Sequence, residues 1–150
     1  MASGLARKVF LLAALGAMLA VTSLDLLLLY VALEIDVLCA FLMIACWGDL
    51  GRSAGARTPA SAALMLTLFL AGGALLASLG LWVVYHKGGQ TFDLTALHAR
   101  LTEQPLAAGL QTWIFVVLLA GFGVLLSVWP FHVWAPPGYA AAPKIGRAHV

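Results

Sequence analysis

Charge is scarce in this chain of 150 residues, of which only 9% are Asp, Glu, Lys or Arg. The formal charge of +2 comes from basic residues scattered singly or in pairs, so the basic patch that nucleic-acid binding needs is missing and no nucleic-acid partner is expected. Cysteine is nearly absent too. Cys39 and Cys46 stand seven apart in one apolar run, where they share a helix face and behave as small hydrophobes rather than as a disulfide framework or metal site. There is no Cys-x-x-Cys, no His/Cys cluster, no glycine-rich phosphate loop and no Ser/His/Asp arrangement. Redox and nucleotide chemistry are therefore not expected of this polypeptide, and neither a cofactor nor a metal is expected in it. Apolar surface is what the chain has in excess: 63% of its residues are hydrophobic and the mean hydropathy is +1.03, against roughly 45–50% apolar residues in an average soluble domain. These proportions describe an integral membrane protein embedded in a lipid bilayer.

Crossing a hydrocarbon core of about 30 Å takes roughly 20 apolar residues in helical form. Four segments meet or approach that length, at about 9–23, 25–47, 60–85 and 106–129. The predicted fold class is an all-α polytopic membrane protein. Its first run, opened by Arg7-Lys8, has the outline of a secretory signal peptide, but Asp25 and a second long apolar run follow at once, so a transmembrane hairpin fits better. Arg7, Lys8, Arg52 and Arg57 fall on one side and Lys87 and Arg100 on the other, which by the positive-inside rule makes the N-terminus cytoplasmic. Residues 49–59 then form a short cytoplasmic loop. Residues 86–105 form an outer loop with a helical middle along the membrane surface, since Phe92, Leu94, Leu97 and Leu101 are spaced for one apolar face. The tail 144–150 breaks the apolar character abruptly and reads as a translated sequencing-library adapter (AAG ATC GGA AGA GCA CAC GTC). Residues 1–143 are accordingly expected to be a fragment of a transmembrane domain, and 144–150 an artefact.

Glu34 falls in the middle of the second span. An ionised carboxylate at the bilayer centre costs roughly 2.5–3.5 kcal/mol on insertion scales, so such a group faces a protein interior or a water path and is by default a proton or ion site. The alternative is a neutral structural acid hydrogen-bonded to a neighbouring helix. For Asp36, an interhelical hydrogen bond is the favoured reading. Asp25 marks a helix start, where a carboxylate meets the positive end of the helix dipole. The fourth span ends in Val128-Trp129-Pro130-Phe131-His132-Val133-Trp134-Ala135-Pro136-Pro137-Gly138, and the prolines at 130, 136 and 137 cannot continue a regular helix. A broken helix bearing a histidine lines a pathway, as discontinuous helices do in transporters. His132 suits a proton relay; equally, it could cap the carbonyls that the break frees. Trp82, Trp113, Trp129 and Trp134, with Tyr85, read as interfacial anchors, and Gly72-Gly73 as a point of close helix approach.

Two of these stretches are familiar. Leu29-Tyr30-Val31-Ala32-Leu33-Glu34 resembles the Phe-Tyr-x-x-x-Glu signature of the antiporter-like proton-pumping subunits, and Pro130-Phe131-His132-Val133-Trp134-Ala135-Pro136 resembles their Pro-Leu-His-x-Trp-Leu-Pro. This family is shared by the M, N and L type subunits of NADH:quinone oxidoreductase (respiratory complex I), Mrp-type cation/proton antiporters and membrane-bound hydrogenases. Gly89-Gln90-Thr91-Phe92-Asp93-Leu94 also resembles a loop common in the M type. Family members have about fourteen spans in two inverted five-helix repeats, so the resemblance implies that this chain is the fourth to seventh spans of a larger bundle, the last broken at Pro130–Pro137.

The resemblance implies proton translocation across a cell's inner (plasma) membrane as part of a NADH:quinone oxidoreductase translocase, beside other membrane subunits of the complex. NADH and quinone would bind elsewhere, and redox energy would drive protons along side chains and water at the membrane midplane. Glu34 matches the family's proton-transferring glutamate and His132 the histidine of its broken helix. Three positions depart from the pattern. The lysine that pairs with the glutamate falls on Leu125, Asp36 stands where an apolar residue is usual, and a histidine often found after the Trp-Leu-Pro falls on Tyr139. An Mrp-type antiporter or hydrogenase subunit, exchanging protons for sodium at Glu34, is the first alternative. A structural membrane subunit without transport is the second.

Overall fold

The computed structural model describes residues 2–48 and 58–142. The cations Arg52 and Arg57, most of the loop expected at 49–59, and the tail 144–150 lie outside the described residues. Among the described residues six α-helices follow in order: α1 (Ala2–Thr22), α2 (Leu26–Trp47), α3 (Pro59–Lys87), α4 (Leu94–Glu103), α5 (Ala108–Leu125) and α6 (Ala135–Ala141), with a 3₁₀ turn at His132–Trp134 before the last. Four of them, over Gly4–Thr22, Leu26–Trp47, Pro59–Lys87 and Ala108–Leu125, are long and apolar enough to cross a membrane. The chain is a helical, multi-pass membrane protein. The first span begins about five residues earlier than the apolar run suggests, because Leu5 and the stem-bearing Arg7 and Lys8 are readily helical. The last ends at Leu125, short of the expected 129.

The helix starts are fixed by local polar groups. The Leu28 amide donates to the Asp25 carboxylate at 2.9 Å, capping α2, as expected for a carboxylate at that end. Thr58 and Ser61 cap α3 reciprocally, at 3.1 and 3.0 Å, with Pro59 in the first helical position, where its missing N–H costs nothing. Asp93 caps α4 by accepting from the Thr95 and Ala96 amides, each at 2.8 Å. The two aspartate caps lie side by side: the Leu26 amide donates to the Phe92 carbonyl at 2.9 Å and the Leu94 amide to the Leu24 carbonyl at 2.8 Å. This bridge ties the α1–α2 turn to the start of the short helix α4. That helix puts Leu97 and Leu101 against Val84, Leu110 and Ile114, so its apolar face covers the ends of the spans.

Consecutive spans run antiparallel. Leu26 packs near Val84, and at the other end Ile44 packs with Ala62 and Ala63. Glycine lets α3 and α5 come closest, since without a hydrophobic drive between helices in lipid, association depends on close backbone approach. Gly73 lies against Val124 and Gly121, Gly121 against Ala77, and Gly80 against Leu118. Only one of the mid-span glycine pair takes part. Gly73 is buried, whereas none of the described residues lies within 4 Å of where a Gly72 side chain would point.

Candidate functional site

The break in the last span lies deep in the bundle. Val124, next to the final residue of α5, touches Gly73, the midpoint of the 29-residue α3. There the backbone turns out of the helix through Ser127, which adopts a left-handed φ of 56°. The Val128 amide donates to the Gly123 carbonyl at 2.8 Å and the Ser127 amide to the Val124 carbonyl at 3.2 Å, the pair of bonds that closes a Schellman end. In lipid these carbonyls must be satisfied inside the protein. A third donor comes from beyond the break, because the Trp134 indole N–H reaches the Val124 carbonyl at 2.9 Å. Trp134 is 5% exposed and belongs to the core with Leu66 and Leu70. It is therefore not an interfacial anchor: α5 stops four residues early and the chain folds back, carrying the indole inward. Trp82, Trp113 and Trp129 are exposed.

Glu34 lies at the same depth as the break. Tyr30, one turn earlier on the same face of α2, sends its hydroxyl to the Ala74 carbonyl of α3 at 3.3 Å, and with Leu26 beside Val84 and Ile44 beside Ala62 the antiparallel course sets Glu34 level with the middle of α3. Its Oε1 is buried and has no hydrogen-bond partner among the described residues. The interhelical hydrogen bond of the structural alternative is not made by that oxygen. Asp36, which helical rotation turns to another face, directs Oδ1 at Gly16 of α1. That oxygen too is buried without a partner among the described residues. An unpaired buried carboxylate is costly unless it binds a proton, a cation or water.

His132 is placed apart from both acids. It is exposed on the 3₁₀ turn and lines a surface groove with Ser127, Trp129, Pro136 and Tyr139. Capping of the freed Val124 carbonyl, one of its two expected roles, is performed by Trp134 instead. Leu125 lines a partly open cavity with Asp36, Leu70, Trp134 and Tyr139, and Glu34 is not among its lining residues. Position 125 thus opens toward Asp36. Cys39 is buried and Cys46 exposed, both as free thiols. Sequence reasoning missed Trp134 and Tyr139 as parts of this region, because the prolines around them signal a break without its direction.

At the ends of the spans, Arg7 and Lys8 of α1 share one end of the bundle with the start of α3, and Lys87 and Arg100 share the other. Arg100 donates to the Gly89 carbonyl at 2.9 Å, where Gly89 has a φ of +97° and the guanidinium occupies the space a side chain would need.

Comparison with known proteins agrees with this architecture. The family described as the transmembrane domain of NADH:quinone oxidoreductase and Mrp antiporters matches residues 23–149. The chain is 32% identical over 118 residues to NAD(P)H-quinone oxidoreductase chain 4 3 of Picosynechococcus sp., covering 79% of this chain and 20% of that protein. It is 32% identical over 132 residues to NADH-quinone oxidoreductase subunit M of Rhodobacter capsulatus, with 83% and 24% covered. With subunit N of Heliobacterium modesticaldum it shares 37% over 134 residues, with 87% and 25% covered. The chain thus spans about a fifth to a quarter of the length of these curated relatives. By the extent of the match and by its helical, membrane-spanning build, the chain belongs to the NADH:quinone oxidoreductase/Mrp antiporter transmembrane family.

Proposed function

We propose that this chain is a proton-conducting portion of an M-type membrane subunit of a NADH:quinone oxidoreductase, with Glu34 taking up and releasing the proton and His132 serving as a relay. One observation carries the reading: a buried carboxyl oxygen of Glu34, without a hydrogen-bond partner among the described residues, sits at the depth where α5 breaks. A carboxyl there can load a proton from one side and release it to the other, provided its surroundings alternate. The broken helix supplies the irregular backbone that lines polar paths in membranes. Electron transfer and the binding of NADH and quinone belong to other subunits, and this chain acts beside them in the plasma membrane with its N-terminus in the cytoplasm. The same glutamate would serve an Mrp-type antiporter, but the relatives quoted above are named as oxidoreductase chains, which favours the respiratory reading.

The test is Glu34→Gln in the intact parent complex, reconstituted into vesicles. The amide keeps the volume and removes the exchangeable proton, so proton pumping should fall to a small fraction of wild type while the complex still assembles. Unchanged proton flux in the Gln variant would refute the assignment.

A further inference from the structure

The glutamate route leaves Asp36 unused. Its Oδ1 lies against α1 where Gly16 has no side chain to offer, and its carboxyl forms part of the wall of a cavity of about 450 Å³ between α1, α2, α3 and the broken helix. The surrounding surface is mostly apolar, with Leu33, Leu70 and Leu125 among its residues, and the polar exceptions are the Trp134 indole and Tyr139. Tyr139 also lines the second groove, of about 600 Å³, together with Ser127 and His132. The Ser127 and Tyr139 hydroxyls are 3.5 Å apart. One phenol therefore stands between a cavity holding a carboxyl and a groove holding an imidazole.

We propose that Asp36 is a second proton-holding site of this chain, reached from the His132 groove through the Tyr139 hydroxyl and separately from Glu34. In the loading step a hydronium ion in the groove gives its excess proton to the phenol oxygen and becomes water, while the phenol's own O–H proton passes to a water on the cavity side. That water delivers its proton to the Asp36 carboxylate, which becomes a carboxylic acid. Rotation of the O–H restores the phenol, and release runs the same steps backwards, so no charge is left on the tyrosine. A relay needs a group that both donates and accepts, and a phenol does both. Among the described residues, Gly16 of α1 lies against the Asp36 carboxyl, and Asp36 shares its cavity with Phe10 of α1, Leu66 and Leu70 of α3, Leu125 of α5, Trp134 and Tyr139, with Cys39 three residues along on α2. None is a cation, and Tyr139 is the one able to connect the site to the groove.

The proposal rests on the reading of the chain as proton-conducting, and the test separates the two. Infrared spectra of the parent complex, taken after transfer from H₂O to D₂O without turnover, follow the C=O stretch of protonated carboxyls. Glu34→Gln and Asp36→Asn each remove one band and so assign it. Tyr139→Phe, which keeps the ring, should slow deuterium exchange of the Asp36 band by about tenfold or more, the low side of what a positioned proton donor contributes. The Glu34 band should exchange at its wild-type rate. If Asp36→Asn fails to assemble, the band remaining in Glu34→Gln is followed instead, and Tyr139→Phe in that background gives the same decision. The proposal is overturned if Asp36 contributes no carboxyl band, or if Tyr139→Phe leaves both bands unchanged or slows them alike. Failure of the Glu34 reading shows instead in the proton flux of Glu34→Gln, which this exchange experiment does not use.

Discussion

Two adjacent glycines at the middle of α3 should respond to the same substitution with opposite signs. A methyl on Gly73 would sit 2.8 Å from Val124 Cβ, 2.9 Å from Val124 Cγ1 and 3.0 Å from the Gly121 carbonyl oxygen. Carbon contacts prefer about 3.5–4.0 Å, so roughly 0.7 Å must be found at this point. Val124 is β-branched and has one favoured rotamer on a helix, and the Gly121 oxygen is backbone. Neither gives easily. Gly73→Ala should therefore carry the ordinary cost of overpacking, about 1–3 kcal/mol. Around Gly72 none of the described residues lies within 4 Å, so Gly72→Ala should gain roughly 0.5–1 kcal/mol from reduced backbone freedom.

The two neighbours are thus expected to differ by about 1.5–4 kcal/mol. SDS titration of the full-length subunit in bicelles reads this difference directly, with helical circular dichroism as the signal. Because Val124 is also the residue from which the helix end at Ser127 is built, Gly73→Ala should lower proton flux in vesicles while Gly72→Ala leaves it intact. Equal stabilities for the two variants would show that α3 and α5 do not meet at Gly73, and would remove the ground for placing the break beside Glu34.

Two further outcomes are expected. Trp134→Phe removes the donor to the Val124 carbonyl and should destabilise the subunit by about 1 kcal/mol in the same titration; no loss would mean that the indole does not close the helix end. The Asp93 carboxyl is held below its usual range by the Thr95 hydroxyl and then by the Ala96 amide, and a depressed folded-state value means that its capping contribution is complete at neutral pH and lost as pH falls through that value, below about 3.9. Hydrogen exchange at Thr95 and Ala96, corrected for intrinsic rates, should accelerate over that acidic window in wild type and be fast at all pH in Asp93→Ala; a pH-independent wild type would contradict the cap.

The spans and the Asp25 cap are legible in the sequence because each depends on information local to the chain. A run of apolar residues spans whatever its neighbours, and Asp25 caps α2 with its own following amide. Helix phase is another matter. These spans are apolar nearly all round, so no polar stripe distinguishes Gly73 from Gly72, and only the position of α5 decides which glycine is covered. The end of α5 was similarly hidden: prolines 130, 136 and 137 advertise a break, but the turn is made by Ser127, a residue with no special claim to a left-handed φ. Once the chain turns there, Trp134 goes inward and His132 outward. The histidine's position in its motif cannot convey that reversal, since it follows from tertiary packing.

Leu125 and Asp36 look in the sequence like unrelated departures from the family pattern, one losing a cation and the other gaining an acid, 89 positions apart. In the folded chain they meet on the wall of one cavity, with Tyr139, the third departure, on the same wall. If a lysine stood at position 125, its ammonium would enter that cavity and meet the Asp36 carboxyl first, because Glu34 is not on the wall. An ion pair buried there would hold the acid in one charge state, and breaking such a pair is strongly unfavourable. A leucine leaves the acid without a fixed counter-charge, as the proposed binding and release of a proton at Asp36 requires. The substitutions are therefore coherent as a set: the cation is absent where a new acid opens, and a hydroxyl stands where the cavity adjoins the His132 groove.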